Sequence, residues 1–281
     1  MLCRIGNVEI WRILEINAPY LPAEDLFPDV ADVAALIEAR DPRAICPASG
    51  ALILPIQGFL LKTPSHLILV DACVGNHKTN RYPPWTGRSD SRFMASLTAA
   101  GVTADDVDYV LCTHLHTDHV GWNTELKDGR WVPTFSNARY LLPDADNTAF
   151  AAMATDSYTE SVLPVIAAGQ SEMVTSGHQL GDYVSLIATP GHTPGHVSVL
   201  IKSGAAKAII TGDALHTTAQ CWHPDWHFIY DTDPDQAATS RRALLEAASE
   251  ANCRVLGTHF ILPSIGRVRA NGEVFRWEED T

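Results

Sequence analysis

The stretch CTHLHTDHVGW, Cys112–Trp122, sets three histidines and an aspartate within six positions: His114, His116, Asp118 and His119. Imidazole and carboxylate together are donors for zinc, and also for manganese, cobalt or iron. His114 and His116 stand two apart in what reads as extended chain, so they point the same way and can grip one ion. Asp118 and His119 lie past the turn and can face a neighbouring position. Three more donors recur downstream: His192 in TPGHTPGH, Asp213 in IITGD and His259 in RVLGTH. Seven donors are too many for one tetrahedral ion and suit two ions that share a carboxylate. Such a pair lowers the pKa of a water held between its members, making a nucleophile at neutral pH without a serine or cysteine.

These residues need elements that bring them to one rim. Apolar runs precede each group: YVLCT before His114, SLIATP before His192, IITGD ending at Asp213 and RVLGTH ending at His259. Further strands are expected in VEIWRILEI, ALILPIQGFLLK, HLILVD, ARYLL and HVSVLIK. GRVRANGEVFRW carries Asn271-Gly272 between two short apolar runs, a hairpin signal. Helical spacing marks SRFMASLTAAG, closed by Gly101, and DPDQAATSRRALLEAASEAN, opened by Asp233 and Pro234. The stretch 143–169 reads as helical with less regularity. Strands in two batches, each accompanied by helices, predict two sheets packed face to face with helices outside. No repeat or linker divides the chain, so residues 1–281 read as a single domain, with 17–50 a surface excursion.

The formal net charge of -13 argues against a nucleic acid partner, which calls for a basic face, and equally against docking on anionic membrane. No run approaches the roughly 18 apolar residues of a membrane helix. The N-terminal stretch lacks the features of a secretory signal. The six cysteines are scattered without a CxxC pair, and Cys73 and Cys112 sit in apolar settings as core thiols. A cytoplasmic enzyme fits these features.

THLHTDHVGW resembles the HxHxDH motif of the metallo-β-lactamase superfamily, and His192, Asp213 and His259 follow in that family's order. The resemblance runs from about Val70-Asp71 to His259. It implies an α/β (α+β) fold, an αββα sandwich of two mixed β-sheets with helices on the outer faces. It also implies a ligand set, with His114, His116 and His192 on one metal, Asp118, His119 and His259 on the second, and Asp213 bridging. Asp71 matches the aspartate that supports a ligand histidine from behind, and His196 is expected to do similar work. The cofactors implied are two divalent ions, Zn2+ first, with Mn2+, Co2+ or Fe2+ as alternatives.

Within the superfamily, the acidic charge sets the chain apart from the RNA nucleases. It most resembles the dinuclear lactonases and the methyl-parathion-hydrolase-like enzymes. Acyl-homoserine lactonases share TPGHTPGH but place a tyrosine three residues after the bridging aspartate, where GDALH puts His216. The resemblance implies a metal-dependent hydrolase that opens a lactone or carboxylic ester by attack of a metal-bridging hydroxide. Asp118, Asp213 and His216 are its expected catalytic residues, and a small ester or lactone its partner. A phosphotriester or β-lactam hydrolase with the same dinuclear site, and an iron-dependent oxidoreductase of the same fold, are the alternatives. Trp85, Trp122, Trp222 and Trp226 are expected to wall the substrate pocket, while His223 and His227 read as solvated or loop-packing histidines. A homodimer is left open.

Overall fold

In the computed structural model, which describes residues 1–280, the chain forms two compact units. One comprises Met1–Glu15 and Ile56–Tyr183; the other comprises Ile16–Pro55 and the chain from Val184 onward. Two of the three crossings fall within long strands, β2 (Val8–Pro22) and β3 (Ala51–Lys62), and the third falls between Tyr183 and Val184.

The first sheet has seven strands in the order β1-β2-β3-β4-β5-β8-β9. Besides β2 and β3 it holds β1 (Cys3–Ile5), β4 (Leu67–Val70), β5 (Tyr109–Leu111), β8 (Arg139–Pro143) and β9 (Ser171–Val174). It is mixed: β3 and β4 are antiparallel, whereas β4, β5, β8 and β9 run parallel. The run LILV of β4 is buried along most of its length, as expected of a strand covered on both faces. Parallel pairing of Val70 with Leu111 ends β4 and β5 at the same edge, which carries Asp71 and Thr113. A separate hairpin, β6 (Thr124–Lys127) with β7 (Arg130–Pro133), was not expected, although Asp128-Gly129 signals it. Both turn residues have positive φ, +51° and +73°, as a two-residue hairpin turn requires.

The second sheet has the order β10-β11-β12-β13-β14-β15-β16. Its strands are β10 (Gln179–Leu180), β11 (Val184–Ala188), β12 (Val197–Ser203), β13 (Ala206–Ile210), β14 (Arg254–Leu256), β15 (Ile265–Asn271) and β16 (Val274–Glu279). The last two form the hairpin predicted at Asn271-Gly272. β13 and β14 are parallel, with Ile210 opposite Leu256. Asp213 and His259 each lie three residues beyond that pair, so both leave the sheet at one edge. β11 runs in the same direction as β13, being two antiparallel steps away, and delivers His192 to that edge as well.

Both predicted helices form. Arg92–Ala99 buries Phe93 and Leu97 and ends before Gly101, whose φ is +72°. Pro234–Glu250 is capped by the Asp233 side chain, which accepts from Gln236 N (3.0 Å). Its Leu244, Leu245 and Ala248 pack with Ile209, Val255, Val268 and Phe275 in the core of the second unit. The irregular stretch 143–169 is broken into a helix Asp144–Met153, a π-helical turn Tyr158–Val162 and a helix Leu163–Ala167. The first break follows from Ala154, which adopts a left-handed conformation. Residues 17–50 are more than a surface excursion. They carry the short helices Ala23–Leu26 and Val33–Glu38 and bury Leu26, Phe27, Val33 and Ile37 in the second unit. Among the described residues no helix is long and apolar enough to cross a membrane.

Lys78 is a buried charge in the first unit. Its Nζ donates to Thr124 Oγ1 (2.5 Å) and the Glu160 carbonyl (3.2 Å) and lies 3.4 Å from the centroid of the Trp131 ring. Burial draws its pKa down to about 7, against the pull of Glu160. An unfolded lysine keeps its proton to about 10.4. Between these values the unfolded chain binds more protons than the folded one, so stability rises with pH from 7 towards 10. The expected result is a urea midpoint that increases from pH 7 to 9, with a smaller increase in Lys78→Met. Equal pH slopes in the two proteins would refute the assignment.

Candidate functional site

In the first unit the site grows from the edge where β4 and β5 end. Asp71 is buried there with φ +60°. Its Oδ1 accepts from Thr113 N (2.8 Å), and its Oδ2 accepts from the Thr113 hydroxyl (2.9 Å) and from His119 Nδ1 (3.0 Å). A carboxylate only accepts, so His119 carries its proton on Nδ1 and keeps a lone pair on Nε2. The Thr113 hydroxyl has spent its hydrogen on Asp71. Towards His114 Nδ1 (3.1 Å) it must therefore accept, and His114 too presents a lone pair on Nε2. That atom lies 3.0 Å from His116 Nδ1, with the two rings edge to face. Asp118 Oδ2 is 3.7 Å from His119 Nε2.

The turn bearing these donors is pinned by backbone contacts. Ala72 N donates to His119 O and Gly121 N to Cys73 O, both at 2.7 Å. A Cβ on Gly121 would stand 1.8 Å from the Val74 carbonyl, so no other residue permits this approach. Glu15, buried behind the turn, accepts from Val74 N and Trp122 Nε1, both at 2.8 Å. Burial pushes its pKa up while these bonds pull it down.

The second unit gathers its own donors around Asp213. His192 Nε2 is 3.4 Å and His216 Nε2 3.2 Å from Asp213 Oδ2, and His259 Nε2 is 3.1 Å from Oδ1. The opposite nitrogens are held by the protein. His192 Nδ1 donates to Asp231 Oδ1 (2.9 Å), and His259 Nδ1 donates to the Pro55 carbonyl (2.8 Å). Both rings therefore turn a lone pair towards the carboxylate. His196 accepts from Asp213 N at Nε2 (2.8 Å) and meets Thr189 Oγ1 at Nδ1 (2.8 Å). It thus supports Asp213 through the aspartate's backbone N–H. Burial alone would raise the Asp231 pKa, but the His192 hydrogen bond and the charges of His192, His216 and Arg241 bring it down to about 2. Gly191 precedes His192 with φ +126°, and a Cβ there would stand 2.1 Å from Ala237 N.

The ring of His216 lies flat on Phe228, centroids 3.5 Å apart, and burial lowers its pKa to about 4. Its Nδ1 completes no hydrogen bond within the described residues, while its Nε2 stands beside Asp213 Oδ2.

The expected tryptophan-walled pocket is corrected in part. Trp122 stacks on Phe93 (5.1 Å) and donates to Glu15, so it is core of the first unit; its place beside the histidines in sequence misled. Trp85 is buried edge-on against Tyr82. Trp226 packs on Phe27 and beneath His223, and Trp222 lies 4.4 Å under the Arg40 guanidinium. His223 and His227 are loop-packing residues, the latter 2.9 Å from Asp29. Cys73 and Cys112 are buried, and burial raises both thiol pKa values, so neither is a ready metal ligand.

In each unit the donor chemistry fits a divalent cation. A lone pair set against a carboxylate, or against a second imidazole nitrogen, is repulsive unless a proton or cation lies beside both. The acceptors behind the rings fix the neutral, lone-pair-forward tautomers that metal binding needs. Strand-end imidazoles and carboxylates on mixed sheets define an α/β metal-binding protein. The chain belongs to the metallo-beta-lactamase superfamily, whose sequence profile matches residues 54–259.

Among its relatives is an N-acyl homoserine lactonase of Bacillus cereus, 30% identical over 59% of this chain and 66% of its own length. One of Bacillus thuringiensis is 26% identical over 71% of this chain and 78% of its own. The chain thus spans just under two thirds of the first of these. Similar solved structures include a hydrolase of the beta lactamase superfamily, AbOPH, with TM-score 0.83 and 23% identity over 99% of this chain and 96% of that one. A dizinc quorum-quenching lactonase, AidC, in complex with a product, gives 0.78 and 22% over the same shares. These likenesses establish the predicted α/β fold of two mixed sheets.

Proposed function

We propose that the protein is a dinuclear metallohydrolase that opens a lactone or carboxylic ester, with both units serving as one domain. The ligand assignment is His114, His116 and His192 on one ion, Asp118, His119 and His259 on the other, and Asp213 common to both. The observation that carries it is the fixed tautomers, since His114, His119, His192 and His259 each hold Nδ1–H against a protein acceptor and offer Nε2. Family membership and the lactonases among the relatives support the reaction class. Zinc is the proposed metal. The six free cysteines, four of them buried, suit the reducing cytoplasm in which we place the protein.

When bound, two such ions supply an activated water and a Lewis acid for the carbonyl oxygen. The chain's residues do the rest. Asp213 can take up the proton that the nucleophile sheds. His216 is a neutral ring at neutral pH, held by Phe228, with Nε2 beside Asp213 and an Nδ1 that completes no hydrogen bond among the described residues. A buried nitrogen left unmet is costly, so the His216 ring is placed to donate an N–H to a substrate oxygen. His216→Phe, which keeps the stacking, is expected to lower kcat/KM by about 100-fold while both metal equivalents remain. Unchanged kcat/KM would remove it from the reaction.

The reading is tested on zinc-, manganese- and iron-loaded enzyme with lactones, aryl esters, phosphotriesters and a cephalosporin. Turnover of lactones or esters supports it. Turnover of the phosphotriester or cephalosporin alone would move the protein to another branch, and a single bound iron with no hydrolysis would mean redox chemistry.

A further inference from the structure

A charge buried in the second unit has no part in the ligand set. Arg241, on the helix Pro234–Glu250, is fully buried. Its Nε donates to the Ala214 carbonyl (2.7 Å), and its Nη1 to the carbonyls of Pro224 (2.7 Å) and Trp226 (2.9 Å). Its Nη2 stands 3.4 Å from Asp231 Oδ2, and Asp231 Oδ1 holds His192. Ala214 directly follows Asp213. Trp226 O also accepts from Gln220 Nε2 (3.3 Å), whose Oε1 accepts from His216 N (2.7 Å). One planar fork therefore reaches the neighbour of Asp213 directly, His192 in two contacts and His216 in three.

We propose that Arg241 is a positioning residue for metal binding, clamping the turn after Asp213 to the loop 224–231 and, through Asp231, orienting His192. The inference rests on the dinuclear reading above. Three carbonyls and a carboxylate gathered around one group require a planar, multi-donor cation. A lysine offers a point charge that cannot serve all of them. Packing alone does not explain the residue either, because apolar side chains commonly replace buried ion pairs without loss of stability. The residue before it on the helix, Ser240, adds a second tie by donating to Pro190 O (2.6 Å), two residues before His192.

The test compares the zinc-loaded protein with Arg241→Met and Arg241→Lys. It reads zinc retention against a chelator, the cobalt(II) absorption spectrum, and kcat and KM. Arg241→Met is expected to bind zinc about 10- to 100-fold more weakly and to shift the cobalt spectrum, because the support behind a ligand is lost. Arg241→Lys is expected to restore urea stability while leaving zinc binding at least about fivefold weak. If the Met variant does not fold, the Lys variant decides. A folded variant that holds zinc within twofold of the parent protein, with an unshifted spectrum, overturns the proposal. Failure of both to fold also overturns it, since Arg241 would then be a folding residue. Failure of the parent protein itself to retain metal would sink the dinuclear reading instead.

Discussion

Asp213→Ala is expected to abolish hydrolysis, lowering kcat/KM by roughly 10³-fold or more, and to leave at most one equivalent of bound metal. The carboxylate stands 3.1 to 3.4 Å from the Nε2 atoms of His192, His216 and His259. It is the one carboxylate that all three Nε2 atoms face at such distances among the described residues of their unit, and it is buried; His192 meets Asp231 through its other nitrogen. Without it the rings keep their lone pairs but lose the carboxylate they converge on, and a divalent ion there would lose a charged donor. Asp213→Asn separates charge from shape. The backbone N–H still meets His196 Nε2, so the fold is retained. The amide, however, cannot neutralise an ion or take up a proton, and its activity should fall nearly as far. Metal analysis of dialysed protein, read beside kcat/KM, decides the matter. An alanine variant that keeps two equivalents would refute the bridging role, and one that keeps turnover would refute the mechanism.

The seven donors were legible because each follows an apolar run, and parallel register carries residues past such runs to one edge. His259 and Asp213 show this most simply, each three residues past the Ile210–Leu256 pair. Apart from Asp71, to which the family resemblance pointed, the groups that hold the donors were not legible. Asp231 lies 39 residues from His192 and reads as part of the helix cap in DTDPD. Pro55 supports His259 across 204 residues through a backbone carbonyl, which has no side-chain signature at all. Arg241 did leave a trace. It falls on the same helical stripe as Ala237, Leu244, Leu245 and Ala248, and an arginine on an apolar stripe calls for a buried partner. Trp122 erred in the other direction, because adjacency to the HxHxDH motif says nothing of the face to which a ring points.

The second large effect is expected at Asp71, which touches no metal in the proposed site. One carboxylate sets the tautomers of two ligands, His119 directly and His114 through the Thr113 hydroxyl. Asp71→Ala removes the acceptor for three donors and places alanine at φ +60°, a conformation it adopts poorly. The loss should be about 3 kcal/mol of stability, since each buried donor left unmet costs roughly 1–3 kcal/mol and neighbours do not add fully. Asp71→Asn is the sharper experiment. Asparagine accepts positive φ and can still receive Thr113 N–H, so stability falls less. Its NH2 group would then face His119 Nδ1–H, donor against donor. The ring can escape only by moving its proton to Nε2, which occupies the lone pair that metal binding needs. The asparagine protein should therefore be well folded yet bind metal about 10- to 100-fold more weakly. Nitrogen-15 spectra of the metal-free protein should show His119 protonated on Nε2. If Asp71→Asn retains metal as tightly as the parent protein, the carboxylate does not control the ligands, and the histidines' tautomers are set elsewhere.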